Sequence, residues 1–179
     1  MKVVSVVGMA GAGKSEVART FEEHDFTRVR FGDLTDDEIK KRGLEPGEKS
    51  ERHVRELLRR ENGMAVFAKL NLPRIDAVIK RSNVVIDGLY SWEEYLFLKD
   101  YYKDDFYVVA VWSPPALRYQ RLMARKQRGL TLEEAASRDK AEIENTNKGG
   151  PIAMADCTVL NLSSLPKLRN DVERIIASL

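Results

Sequence analysis

Cysteine is almost missing from this 179-residue chain: Cys157 stands alone, so no intrachain disulfide can form and a thiolate zinc site has too few ligands. That scarcity fits a reducing compartment. Histidine is nearly as rare, and neither His24 nor His53 has a paired ligand or nucleophile beside it, so both read as structural. Aromatic residues make up 8%, and Trp92, Tyr95, Tyr101 and Tyr102 read as packing and surface residues rather than a base-stacking platform. No long apolar run exists. Uncharged stretches such as Val3 to Gly13 are far shorter than the ~20 residues that span a membrane. Excess charge is missing too: 30 Lys+Arg against 28 Asp+Glu leave +2, which argues against a non-specific nucleic-acid binder. There is no internal repeat, no low-complexity segment and no Pro/Gly/Ser linker. What remains, at 43% hydrophobic and 32% charged, is the composition of a globular chain with a real core, expected as one domain over residues 1–179.

The N-terminus contains a decoy. Lys2, an apolar run and Ala10-Gly11-Ala12 imitate a signal peptide with its cleavage site. The following Gly13-Lys14-Ser15 makes sense only if the segment stays attached, so a cytoplasmic location is expected.

Val3-Val4-Ser5-Val6-Val7 is a β-rich apolar run stopped by Gly8, the pattern of a buried strand. Lys14 to His24 places Val17, Ala18 and Phe21 at helix-face spacing. Phe26–Phe31, Val84–Ile86, Phe106–Trp112 and Cys157–Leu162 read as four further strands, with helical patterns between them. Thr35/Glu38, Ser91/Glu94 and Thr131/Glu134 have capping-box spacing, and Ser113-Pro114 marks another helix start. Strands separated by helices predict a three-layer α/β fold with a five-stranded parallel sheet. Residues 32–83 form a mostly helical insert, expected as a small subdomain facing the site.

Gly8-Met9-Ala10-Gly11-Ala12-Gly13-Lys14-Ser15 matches G-x-x-x-x-G-K-[ST] in full and lies between a strand and a helix, as the phosphate-loop motif requires. The glycines let backbone N–H groups curl toward phosphate oxygens, and the following helix turns its positive end toward the same anion. All eight residues are therefore expected to bind a nucleoside triphosphate, with Lys14 on the β/γ-phosphates and the Ser15 hydroxyl on magnesium. A switch-type GTPase is excluded, since the chain has no D-x-x-G, and Asn147-Lys148-Gly149-Gly150 lacks the Asp that would pair with guanine. A transporter-type ATPase would need a longer chain. Small kinases, which place mobile arginines on a lid, remain.

Arg118, Arg121, Arg125 and Arg128 recur at intervals of three, four and three residues. At about 100° per residue they would share roughly an 80° arc of one helix. No Asp or Glu occurs between Ser113 and Leu132, so the cations lack local partners. Two readings compete, a solvated basic face and a phosphate-facing lid within 115–150; the missing acids favour the lid, with Arg121 and Arg125 as catalytic candidates. Asp87, ending its strand before Gly88, fits either a magnesium ligand or a turn residue, and its place at a strand end favours the metal. Asp33 fits two roles equally: proton acceptor for an acceptor hydroxyl, or helix cap.

The chain resembles the nucleotide-kinase branch of P-loop proteins. The phosphate loop, Val29 to Asp33, and Ala155-Asp156-Cys157-Thr158-Val159-Leu160-Asn161 are similar to dephospho-CoA kinase, where the Asp matching Asp33 is the proposed base and the late segment sits near the adenine. Val84 to Gly88 resembles the V-I-L-D-G segment of adenylate kinases. As a whole the sequence resembles archaeal proteins labelled dephospho-CoA-kinase- or adenylate-kinase-related. Two departures stand out. Leu89-Tyr90-Ser91 replaces the F-P-R that follows in adenylate kinases, and Phe31 replaces an acid usual in dephospho-CoA kinases. The expected activity is Mg²⁺-dependent transfer of the ATP γ-phosphate to a small metabolite, a nucleotide or pantetheine-type compound. The alternative is a non-enzymatic ATP-binding switch that presents a surface to a protein or RNA partner. Turnover that rises with added metabolites separates the two. The residues name neither the acceptor nor an oligomeric state.

Overall fold

The central strands are buried on both faces and must be covered on both, which dictates the layering. The structure, a computed structural model, describes residues 1–126 and 129–179. Strands β1 (Val3–Val7), β2 (Phe26–Arg30), β3 (Asn83–Asp87), β4 (Phe106–Trp112) and β5 (Cys157–Leu160) form one sheet in the order β2-β3-β1-β4-β5. Every pairing is parallel.

The alternation along β1 splits the core. Val3 and Val7 pack with Phe31, Phe67, Ile75, Leu98 and Phe106, beneath α4 (Val66–Ile79) and α5 (Trp92–Tyr102). Val4 and Val6 pack on the other face with Val17, Phe21, Leu168 and Val172, beneath α1 (Lys14–Glu22) and α9 (Leu165–Ser178). The three-layer expectation therefore holds, with strand boundaries shifted by at most two residues.

Between β2 and β3 lie α2 (Asp33–Lys41), α3 (Glu48–Asn62) and α4. Between β4 and β5 lie α6 (Pro115–Met123), α7 (Leu132–Glu144) and the short α8 (Gly149–Ala153). Two capping boxes form as read: Glu94 N–H donates to Ser91 Oγ at 3.1 Å, and Glu134 N–H donates to Thr131 Oγ1 at 3.2 Å. The third does not, because α2 already starts at Asp33 and Thr35 lies inside its first turn.

Register sets the site. Val6 pairs with Asp87 across β1 and β3, and Val7 pairs with Ala110 across β1 and β4. The loops that leave these strands thus open on one edge of the sheet, where ligands of open α/β sheets bind. Beyond β2, Phe31 N–H donates to the Asp87 carbonyl at 3.1 Å, which brings the start of α2 to the same edge. Among the described residues no helix is long and apolar enough to cross a membrane.

Candidate active site

The phosphate loop leaves β1 and enters α1 through backbone that only glycine adopts easily. Gly11 has φ +78°, and a Cβ there would lie 2.6 Å from the Arg118 carbonyl oxygen. Gly13 has φ +110° and caps α1 in the left-handed region, with the Asn161 amide against the space a Cβ would need. The sequence rule for this loop thus rests on close packing as well as on turn geometry. Ala10, Gly11, Lys14 and Ser15 line a cavity of about 630 Å³, together with Arg30, Asp36, Glu48, Glu51, Arg55, Asp87, Tyr90, Arg125, Arg138 and Lys148. Gly8, Met9, Ala12 and Gly13 shape the loop without lining that cavity; the Met9 carbonyl accepts from Lys14 Nζ at 3.0 Å.

Burial, then the neighbouring Lys148 charge, pushes the Lys14 ammonium down to about 7. An anion beside it would restore the charged form, which is the electrostatic condition for a triphosphate site. Ser15 and Asp87 face the same cavity, so one hydroxyl and one carboxylate are at hand for a magnesium ion, which commonly takes one or two protein oxygens and fills the rest with water and phosphate. Asp87 is also ion-paired to Arg28 on the neighbouring strand, which fixes its orientation. Among the described residues there is no cluster of three or more His, Cys, Asp or Glu that would hold a metal by itself. The donor set fits a metal carried in with phosphate.

The arginine arrangement differs from the sequence reading. Helix α6 ends at Met123, so Arg125 lies beyond it and the four arginines do not share one helical face; Arg128 lies outside the described residues. Arg118 is buried. It makes a bidentate pair with Asp139 of α7, at 2.9 and 2.6 Å, and donates to the Ala10 carbonyl at 3.0 Å. The partner acid missing from its own segment is supplied by the next helix. Arg121 donates to Ser113 Oγ at 3.0 Å and to the Asn161 carbonyl at 3.0 Å. Asn161 in turn donates from its amide to the Ala12 carbonyl at 2.8 Å. Arg118 and Arg121 therefore brace the phosphate loop from its carbonyl side, whereas Arg125 lines the cavity.

Asp33 does not line the cavity; Asp36, one turn later, does. The Asp33 carboxylate sits at the rim, accepting from Arg30 at 2.8 Å and from Arg74 at 3.3 Å. It heads α2 without making a side-chain cap, so the capping alternative is not realised.

The sequence reading missed the far wall. Arg138 and Glu142 occur one turn apart on α7 and bond at 3.1 Å; Arg138 also donates to Glu48 of α3 at 2.8 Å. Lys148 donates to Glu142 at 2.6 Å and lies 5.1 Å from the Tyr90 ring centre. Arg55 donates to Glu48 at 3.0 Å and to Glu51 at 3.4 Å. Burial alone would raise the Glu142 pKa; Lys148, Arg138 and Lys14 together outweigh it and hold the carboxyl far below the usual range. Burial sends the Tyr90 hydroxyl up to about 12, so it stays a neutral donor. The one sequence signal for this wall was the capping box at Thr131/Glu134. It starts α7 and so places Arg138 and Glu142 on a common face.

A five-stranded parallel sheet with a phosphate loop at the β1–α1 turn and a charged cavity over it defines a P-loop NTPase of kinase-like fold. Comparison with known proteins agrees: a family described as AAA domain matches residues 4–147. A UPF0200 protein of Thermococcus kodakarensis is 36% identical over 178 residues, covering 97% of this chain and 96% of its own length. The chain belongs to the UPF0200 family. In fold it is similar to a shikimate kinase from Bacteroides thetaiotaomicron, with a TM-score of 0.63 at 17% identity over 99% of both chains. It is also similar to a gluconokinase from Sinorhizobium meliloti, with a TM-score of 0.62 at 13% identity over 99% of this chain and 92% of that one.

Proposed function

We propose that this protein transfers the γ-phosphoryl group of ATP to a hydroxyl of a small metabolite. The observation that carries the reading is the shared cavity: Lys14 and Ser15 open into the same 630 Å³ space as Asp36, Glu48, Glu51 and Arg55 from two helices of the 32–83 insert. A protein that only binds and releases ATP needs no such wall of carboxylates and arginine in the space beside the phosphates.

In this reading the loop N–H groups and the start of α1 hold the triphosphate, and Lys14 regains its charge against the β/γ-oxygens. Ser15 and Asp87 would hold Mg²⁺, which when bound neutralises phosphate charge. Arg125 faces the transferring group, within a lid spanning 115–150. Arg121 acts as a positioning residue: through Asn161 and Ser113 it fixes the loop that the phosphates touch. Asp33 positions Arg30 at the rim. The rate gain comes from holding and electrostatics rather than covalent chemistry.

The test is titration calorimetry with Mg-ATP. Wild type should bind, and a folded Lys14→Ala variant should lose affinity by about tenfold or more, since one charge-assisted contact is worth ~1.5–3 kcal/mol. Equal affinities would remove the phosphate-loop assignment.

A further inference from the structure

The two halves of the cavity differ in charge chemistry. On the phosphate-loop side the hydrogen bond that Lys14 makes among the described residues is to a carbonyl, that of Met9. On the insert side both arginines are met by two carboxylates each. Arg30 donates to Asp33 at 2.8 Å and to Asp36 at 2.7 Å, and Arg55 donates to Glu48 and Glu51. Arg138, reaching over from α7, is likewise held by Glu48 and Glu142. The two carboxylate hydrogen bonds more than offset the effect of burial and keep Arg30 firmly charged.

A phosphate ester entering this half would face Asp36, Glu48 and Glu51 and would have to take guanidinium donors away from them. A nucleobase would find no stacking slot. Tyr90 is the one aromatic residue lining the cavity among the described residues, and its ring is already engaged by the Lys148 ammonium at 5.1 Å, the Arg59 guanidinium at 5.9 Å and Phe67 at 6.0 Å. A hydroxyl group suits the wall on both counts. It donates to a carboxylate, which only accepts, and accepts from a guanidinium, which only donates.

We propose that the acceptor is a small uncharged polyol, bound through its hydroxyls by the carboxylate–arginine pairs of α2 and α3, with Asp36 facing the hydroxyl that is phosphorylated. This rests on the kinase reading above. One acceptor oxygen bonds to the γ-phosphorus as the bond from that phosphorus to the β,γ-bridging oxygen breaks. ADP leaves with that electron pair, and the hydroxyl proton passes to Asp36 and on to water.

The experiment follows ADP release by the full chain with ATP and Mg²⁺ in separate arms. One arm holds glycerol, ribose, glucose and myo-inositol; a second, glycerate and gluconate; a third, AMP and glycerol 3-phosphate; a fourth, adenosine and cytidine. At least one compound of the first arm should raise ADP release tenfold or more and give the highest kcat/KM of the panel. Asp36→Asn should then lower kcat by about 100-fold with little change in ATP affinity. A higher kcat/KM in any other arm overturns the proposal. So does silence in every arm while Lys14-dependent ATP binding is intact, whereas absence of that binding fails the kinase reading itself. A second readout needs no turnover: glycerol 3-phosphate titrated onto the chain loaded with ADP and Mg²⁺ should bind Glu48→Gln, or Glu51→Gln if the first does not fold, at least tenfold more tightly than wild type. Equal or tighter binding to wild type counts against the carboxylate wall.

Discussion

Lys148 and Glu142 form an ion pair at 2.6 Å with 1% and 12% of their side chains exposed, and Lys14 of the phosphate loop feels both charges. The pair sits among Arg138, Tyr90 and Glu48, so the chemistry of the phosphate loop is set partly by an ion pair more than a hundred residues away in sequence. Such a pair gains little over an apolar substitute, but it is costly to break on one side only.

Lys148→Met should therefore destabilise the fold by about 3–5 kcal/mol, because it leaves the Glu142 carboxylate with one charged partner fewer in a buried place. The double variant Lys148→Met/Glu142→Leu should recover at least half of that loss. Urea denaturation of both variants checks it; a double variant as unstable as the single would show that packing, rather than the stranded charge, is responsible.

Arg118 and Arg125 should separate cleanly. Arg118→Ala strands buried Asp139 and should cost about 3–5 kcal/mol of stability. Arg125→Ala, beyond the helix and on the cavity, should change stability by less than about 1 kcal/mol yet reduce phosphoryl transfer by about 100-fold, the scale of losing one transition-state donor. Denaturation midpoints and kcat with a turnover-supporting acceptor are the two readouts. Reversed effects would mean that Arg118, not Arg125, serves the reaction.

Asp33→Asn should keep kcat within about tenfold of wild type, since its carboxylate holds Arg30 and Arg74 at the rim rather than facing the cavity. Its main effect should be a higher acceptor KM, through a looser Arg30. A 100-fold loss in kcat at unchanged KM would restore Asp33 as the proton acceptor.

Glu94 supplies a pH dependence with a definite sign. Burial raises its pKa from the ordinary 4.5 to about 7, even with Arg59 3.7 Å away and with N–H donors from Tyr90 and Ser91. A carboxyl raised on folding holds its proton more tightly in the native state. Its contribution is thus fully present below pH 4.5 and is lost as pH rises through about 7. Glu94→Gln removes that loss while keeping a side-chain acceptor for the N-cap of α5. The variant's stability relative to wild type should then climb by about 1–3 kcal/mol between pH 5 and pH 8, measured by urea denaturation. A flat difference would show that Glu94 is already ionised throughout that range.

Local chemistry wrote the sheet and the phosphate loop into the sequence. A strand buried on both faces is a continuous apolar run, and a loop that must turn its N–H groups inward needs glycine where Gly11 and Gly13 stand. Both signals lie within a few residues, so Val3–Val7, the loop itself and the capping boxes at Ser91 and Thr131 were legible without coordinates. The lid arginines were not. Their spacing held, but the end of α6 at Met123 and the arrival of Asp139 from α7 decided that Arg118 braces the loop from behind while Arg125 meets the cavity. The same is true of Asp33 and Asp36, which differ by the turn of α2 that faces inward. It is also true of the wall made by Glu48, Arg55, Arg138, Glu142 and Lys148. Its members are separated by up to a hundred positions, and each alone reads as an ordinary surface charge. What joins them is the crossing of α3 and α7 above one sheet edge, a long-range geometry that no local spacing encodes.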